Sequence, residues 1–158
     1  IGCGTGLAGV RFRHIANRLD GIDLSASMLE KAAQRGIYDR LEQGEILTRL
    51  PQLGQRYDLL VAADVLIYFG DLSVVFRAMS AVLRDAALAV FSVEKGETAG
   101  YRLRSTGRYQ HRPDYVQEVA RRQGFEILSC QDEAIRRQED QPVVCTLFVM
   151  RRPSNARP

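Results

Sequence analysis

Apolar residues recur along this chain at two different periods, and the period changes from segment to segment. Between Leu7 and Leu19, the residues Val10, Ile15, Ala16 and Leu19 alternate with Arg11, Arg13 and Arg18. That spacing predicts an amphipathic helix. Gly21–Leu24 reads as a short strand. Ser27-Met28-Leu29-Glu30 has the form of a capping box, and Met28, Leu29, Ala32 and Ala33 mark one apolar helix face that Gly36 would end. Leu41–Gly44 reads as another short strand. Tyr57–Ala63 is almost continuously apolar, as a strand covered on both faces requires.

Asp71 is placed to cap a helix in which Leu72, Val75, Phe76, Met79, Val82 and Leu83 repeat at helical spacing. Ala86–Val93 is a second buried strand. Glu94–Arg112 is long, polar and glycine-containing, and reads as a functional loop or partial lid. Pro113 suits the first turn of a helix ending near Gly124. Phe125–Ser129 and Val143–Met150 then form a closing pair of strands, with Gln138–Pro142 as a polar turn between them. Helices alternating with strands imply a mainly parallel sheet covered by helices.

Composition adds few constraints. The 158 residues carry a net charge of +3, so charge alone implies no nucleic-acid partner. No apolar run approaches the roughly 20 residues needed to span a membrane, and a cytoplasmic protein is expected. Cys3, Cys130 and Cys145 form no metal-ligand pattern, and no metal is expected. Cys130 and Cys145 are expected as core thiols, with a bridge across the closing hairpin as the alternative. His14, inside the first predicted helix, reads as structural.

The chemistry is concentrated at the start. Ile1-Gly2-Cys3-Gly4-Thr5-Gly6 places glycines at alternate positions just before a predicted helix. Such a turn needs positive φ and lets the backbone approach a ligand. Asp23 follows Gly6 at a spacing that suits a carboxylate accepting from a ribose diol. Together these residues resemble the S-adenosylmethionine-dependent methyltransferases of the Rossmann-like class. The resemblance implies an α/β fold: a doubly wound, mainly parallel sheet with helices on both faces and a C-terminal antiparallel hairpin. In that family the first strand precedes the glycine loop, with an acidic residue just before the position of Ile1. This sequence has neither, so a domain over 1–152 lacking most of its first strand is expected, followed by a tail over 153–158. Gly36-Ile37-Tyr38-Asp39, the Ala62–Leu72 segment and Gly107-Arg108-Tyr109-Gln110-His111 further resemble bacterial predicted methyltransferases that often carry tetratricopeptide repeats upstream. That likeness implies an upstream repeat module as a partner.

The resemblance assigns S-adenosyl-L-methionine as cofactor and Gly2, Cys3, Gly4, Thr5, Gly6 and Asp23 to its amino-acid and ribose ends. It places Glu45 at the adenine amino group, with Ile46 supplying a backbone N–H and an apolar wall. Leu24 and Met28 either pack near the cofactor or belong to the ordinary core. Asp64, after the Tyr57–Ala63 strand, resembles a family position lining the cofactor pocket. The acceptor is expected to be a small molecule. Tyr101–Arg112, where aromatic and basic residues interleave, is the candidate acceptor segment, and it also reads as a solvated basic loop. His111, Tyr68 and Tyr109 are the candidate catalytic residues. The Asn/Asp-Pro-Pro-Tyr/Phe signature of base methylation is absent. Two alternatives stay open: an NAD-binding fold, since Gly4–Gly9 satisfies GxGxxG, and a cofactor-fold module that binds a partner without turnover.

Overall fold

The computed structural model describes residues 1–138 and 141–154, and packing divides the chain into two units, Ile1–Leu53 and Gly54–Pro158. In the first unit the glycine turn leads into α1 (Leu7–Phe12), followed by a 3-10 turn over Arg13–Ile15. The expected helix to Leu19 therefore stops early. Ala16 is extended, and the Arg13 guanidinium takes over the end of the segment, donating to Ala16 O, to Ile37 O at 3.0 Å and to Asp39 at 2.7 Å. The orphaned carbonyls of a helix end are commonly satisfied by such a side chain.

Strands β1 (Asp20–Asp23) and β2 (Arg40–Gln43) pair in parallel, Asp20 against Arg40 and Asp23 against Gln43. Between them runs α2 (Ala26–Ala33). Its cap is Ser25, whose side chain accepts from Met28 N at 3.3 Å; Ser27 lies already inside the helix. The capping-box reading was therefore out of register by two positions, because the preceding strand ends at Asp23 and fixes where the helix must begin. Gly36 takes φ 64° beyond the helix end, as its expected role as a stop requires. The unit ends with α3 (Ile46–Arg49) and a 3-10 turn over Leu50–Leu53.

The second unit is built on β4 (Leu83–Lys95). One edge of β4 pairs in parallel with β3 (Tyr57–Ala62), and its last residues pair in parallel with β6 (Tyr109–His111). Its other edge pairs antiparallel with β8 (Gln141–Arg151), and β8 pairs antiparallel with β7 (Glu126–Gln138). The short β5 (Tyr101–Leu103) lies antiparallel to β6 at the opposite end of the strand order. The six-stranded sheet is thus mixed, where the sequence pattern implied a mainly parallel one. The antiparallel share comes from two sources. The closing strands run well beyond Phe125–Ser129 and Val143–Met150, and Glu94–Arg112 contains a hairpin instead of a plain loop. Residues 139–140 of the expected Gln138–Pro142 turn lie outside the described residues.

Helix α4 (Leu72–Val82) buries Leu72, Val75, Phe76, Met79 and Val82, the face its spacing specifies. Asp71 caps it, accepting from Ser73 N at 2.9 Å. Leu83 is buried too, but as the first residue of β4. Ala86 enters the strand with φ 62°, and the register against β3 shifts there. Helix α5 (Pro113–Arg122) packs on α4 and carries Pro113 in its first turn, as expected. The core centres on Phe91 of β4, whose ring lies 5.2 Å from Phe148 and 5.3 Å from Phe76, and Phe76 in turn meets Phe125 at 6.3 Å. Cys130 opposes Phe148 and Cys145 opposes Glu133, so the late cysteines do not face each other. Cys145 is buried as expected, whereas Cys130 is exposed.

Because Phe91 joins α4 to the β8 layer, Phe91→Ala removes contacts on both sides. It is expected to lower unfolding free energy by about 3–5 kcal/mol, read from urea unfolding midpoints.

Candidate functional site

Within the first unit, three alternate glycines all take positive φ: Gly2 at φ 59°, Gly4 at φ 53° and Gly6 at φ 84°. In this region a side chain costs roughly 1–2 kcal/mol per residue. Gly4 has open space where a Cβ would stand, so the bare backbone is exposed to an approaching ligand. Its N–H donates to Asp23 Oδ2 at 2.7 Å, and Ser25 N–H donates to Oδ1 at 2.9 Å. The carboxylate is thereby fixed at the end of β1 by two backbone amides. An ionised carboxylate has about four acceptor sites, so two such bonds leave capacity for a diol.

The neighbouring glycines serve packing instead. A Cβ on Gly9 would collide with the Tyr38 hydroxyl, and one on Gly21 would stand 2.8 Å from Leu41 and 3.0 Å from Cys3 and Tyr38. Tyr38 therefore lies against the glycine turn, and burial raises its phenol pKa. Arg35 Nε donates to Thr5 O at 2.5 Å, tying the loop to the residues after α2. Neither side chain was singled out from sequence, because nothing in the local pattern shows which glycine leaves room for which ring.

Leu24 is 69% exposed and Met28 44% exposed, which corrects their ordinary-core reading. Glu45 caps α3, accepting from Leu47 N at 2.9 Å and from Thr48 N at 2.8 Å. Burial alone would raise its pKa, but these amides outweigh it and the carboxyl is held low. Neither bond uses the N–H of Ile46, whose side chain is buried.

In the second unit, Asp64 follows β3 with φ 54°, its N–H donating to the buried Ser92 hydroxyl at 2.9 Å. A non-glycine residue at positive φ is uncommon and marks a constrained position. Tyr68 ends a 3-10 turn (Leu66–Tyr68) and is exposed. Tyr109 and His111 lie on β6. With Tyr101 and Tyr115 they form an aromatic group: Tyr101 lies 5.8 Å from Tyr109, 6.1 Å from His111 and 5.6 Å from Tyr115. Gly70 lies beneath it, since a Cβ there would come within 2.7 Å of Tyr101 and 2.9 Å of Tyr109. Tyr115 was missed. Its hydroxyl accepts from Leu72 N at 3.2 Å, and the usable signal was an aromatic in the first turn after Pro113.

His111 is not the accessible proton acceptor of a solvated loop. It is buried, with Nε2 3.1 Å from Gly70 O, and its Nδ1 has no hydrogen-bond partner among the described residues. Burial lowers its pKa more than the carbonyl contacts raise it. The imidazole is therefore neutral at pH 7, and a carbonyl partner places the proton on Nε2. Its evident role is to fasten β6 to the segment after β3.

A family model described as a methyltransferase domain matches residues 1–86. The chain belongs to this methyltransferase-domain family. The malonyl-[acyl-carrier protein] O-methyltransferase of Hamiltonella defensa is 33% identical over 91 residues, which are 58% of this chain and 35% of that protein. The methyltransferase chain thus spans about a third of that relative's length. A methyltransferase from Clostridium acetobutylicum superposes with TM-score 0.74 at 16% identity, over 97% of this chain and 82% of the other. Magnesium protoporphyrin IX methyltransferase from Synechocystis, solved with bound S-adenosylmethionine, gives 0.71 at 19% identity, over 96% and 67%. At these identities the two structures show the fold alone. No helix among the described residues is long and apolar enough to cross a membrane. Those residues also contain no group of three His, Cys, Asp or Glu placed to hold a metal.

The burial of neutral His111 sets a pH dependence of stability. Unfolding returns its pKa to about 6.5, so the unfolded chain binds more protons below that pH. The His111 contribution is complete above about pH 6.5 and is lost as pH falls toward the lowered folded pKa. The capping carboxylates Glu45 and Asp71 are held low and act only at more acid pH. Urea midpoints of the wild-type chain are expected to fall between pH 7 and 5, and those of His111→Gln to fall less steeply. Parallel slopes would remove His111 as the cause.

Proposed function

We propose that this chain is the S-adenosylmethionine-dependent catalytic domain of a methyltransferase acting on a small-molecule acceptor. The observation that carries this reading is the Asp23 carboxylate held by Gly4 N–H beside an open glycine backbone. The residues fit the cofactor chemically. Asp23 has acceptor capacity for both ribose hydroxyls, and Gly2–Gly6 offer bare backbone to the amino-acid end. Ile46 offers an N–H to adenine, and Glu45 supports it by fixing the first turn of α3. Leu24 and Met28 supply exposed apolar surface on the same unit.

When bound, S-adenosylmethionine supplies a methyl group on a sulfonium, which an acceptor lone pair takes in line as the carbon–sulfur bond breaks. Such a step is accelerated mainly by alignment, which can be worth several kcal/mol without a catalytic base. The chain's own residues are therefore assigned to alignment. Tyr68, Tyr101 and Tyr109 form the acceptor side, and Tyr115 orders the start of α4 through Leu72 N–H. His111 is a positioning residue that holds β6 against Gly70 O. The O-methyltransferase activity of the Hamiltonella defensa relative favours an oxygen acceptor on a small acyl group. A dehydrogenase has less support, because the matching family is a methyltransferase domain.

Calorimetric titration with S-adenosylhomocysteine tests this reading, with NAD run in parallel. Binding near the micromolar range is expected for S-adenosylhomocysteine and none for NAD. Asp23→Ala should weaken the former by about tenfold or more, the size of a lost charge-assisted hydrogen bond. Unchanged affinity in folded Asp23→Ala, or tighter binding of NAD, would overturn the assignment.

A further inference from the structure

The β5–β6 hairpin has two chemically different faces. Strand alternation in the observed register puts Tyr101, Leu103, Tyr109 and His111 on one side. Arg102 and Gln110 fall on the other, and Arg104 and Arg108 flank the two strands at the turn, where Arg104 N–H donates to Arg108 O at 2.8 Å. The ring contacts among Tyr101, Tyr109 and His111 agree with the first set. The arginines at 102 and 104 are exposed and Arg108 is half-buried. Among the described residues, none of these three guanidinium groups makes an ion pair or a side-chain hydrogen bond, in contrast to Arg112, which pairs with Asp114 at 2.8 Å. The nearest carboxylate in register, Glu94, accepts from Gln110 Nε2 at 2.9 Å.

Three unpaired guanidiniums on one hairpin form a local positive field that the net charge of +3 conceals. Arg104 and Arg108 stand opposite each other at the turn and Arg102 lies about 7 Å further along the β5 arm, so the three groups run along the hairpin instead of surrounding one point. A small anion is held by converging donors in a concavity. Single-stranded nucleic acid needs aromatic rings beside the basic groups on the same surface. Here the tyrosines that interleave with the arginines in sequence lie on the opposite side and pack over Gly70. What remains complementary is an extended acidic surface. We propose that the arginine face of the β5–β6 hairpin is a docking surface for an acidic partner protein, set beside the acceptor side of the domain.

The test is fluorescence anisotropy with labelled poly-L-glutamate as the acidic-polypeptide probe, titrated with this chain at low and at physiological salt. The variant R102Q/R104Q/R108Q should bind the probe about tenfold or more weakly than wild type. R121Q/R122Q, which removes the same kind of charge from the α5 surface, should change it by less than about twofold. Added salt should weaken wild-type binding and close the gap between variants. The single variant Arg104→Gln, read in the same way, should show a loss intermediate between wild type and the triple variant, which keeps the test decisive if the triple variant folds poorly. Equal losses in the α5 control, or no loss in the hairpin variants, would overturn the proposal and leave the arginines as guards of a sheet edge. So would displacement by pyrophosphate at matched charge, which would indicate a small-anion site, or tighter binding of oligothymidylate. Because the readout is probe binding, a failure to bind S-adenosylhomocysteine would count against the proposed function and leave this result standing.

Discussion

A single backbone-to-carboxylate bond, Gly4 N–H to Asp23 Oδ2 at 2.7 Å, organises the first unit. It joins two points far apart in sequence: the left-handed glycine turn and the end of β1. Each side constrains the other. Positive φ at Gly2, Gly4 and Gly6 turns the Gly4 amide toward β1, which an L side chain at those positions would resist. The parallel pairing of Asp23 with Gln43, and Gly44 N–H donating to Asp23 O at 2.9 Å, set where the carboxylate stands. Ser25 then accounts for the second oxygen and begins α2. A charge held by oriented amides needs little rearrangement to meet a polar ligand, and this makes the site a preorganised one.

The second unit solves a different problem, that of keeping an aromatic surface ordered near a sheet edge. Gly70 has no side chain, so Tyr101 and Tyr109 can lie directly over its backbone. His111 then satisfies the Gly70 carbonyl, which those rings would otherwise seal from water. An unsatisfied buried carbonyl costs roughly 1–3 kcal/mol, so a neutral imidazole at that point is structurally valuable. Tyr115 extends the arrangement to α4 by accepting from Leu72 N–H. The hairpin, the segment after β3 and the starts of two helices are thus coupled through a few side chains.

Much of this was legible in the sequence, for reasons that can be named. The α4 face was readable because Leu72, Val75, Phe76, Met79 and Val82 meet one uniform core. Pro113 and Asp71 were readable because their preferences are local and act at helix starts. The glycine turn and Asp23 were readable because their spacing reflects backbone geometry. Features set by tertiary partners were not readable. Helix α1 stops early because Arg13 reaches Ile37 and Asp39. Ser25 displaces Ser27 as the cap because β1 ends where it does. The hairpin inside Glu94–Arg112 stayed hidden because its apolar residues face a glycine, which leaves no hydrophobic partner in the pattern. The interleaving of Arg and Tyr looked like a mixed surface, whereas strand alternation puts Arg102 on the face opposite Tyr101 and Tyr109.

The family match itself divides the chain along chemical lines. It covers residues 1–86, which contain the glycine turn, Asp23, Glu45, β3 and α4, and it ends just inside β4. The hairpin, Tyr115, α5, β7 and β8 all lie beyond it. A cofactor common to many enzymes demands constant contacts, and the matched residues hold every proposed cofactor contact. An acceptor that differs from enzyme to enzyme calls for surfaces free to diverge on a shared frame. Methyl transfer permits that freedom, because the step relies on alignment and does not impose one fixed catalytic base. A buried, neutral His111 is therefore no obstacle to catalysis. On the proposed reading, selectivity belongs to how the β5–β6 hairpin is held and to what it meets.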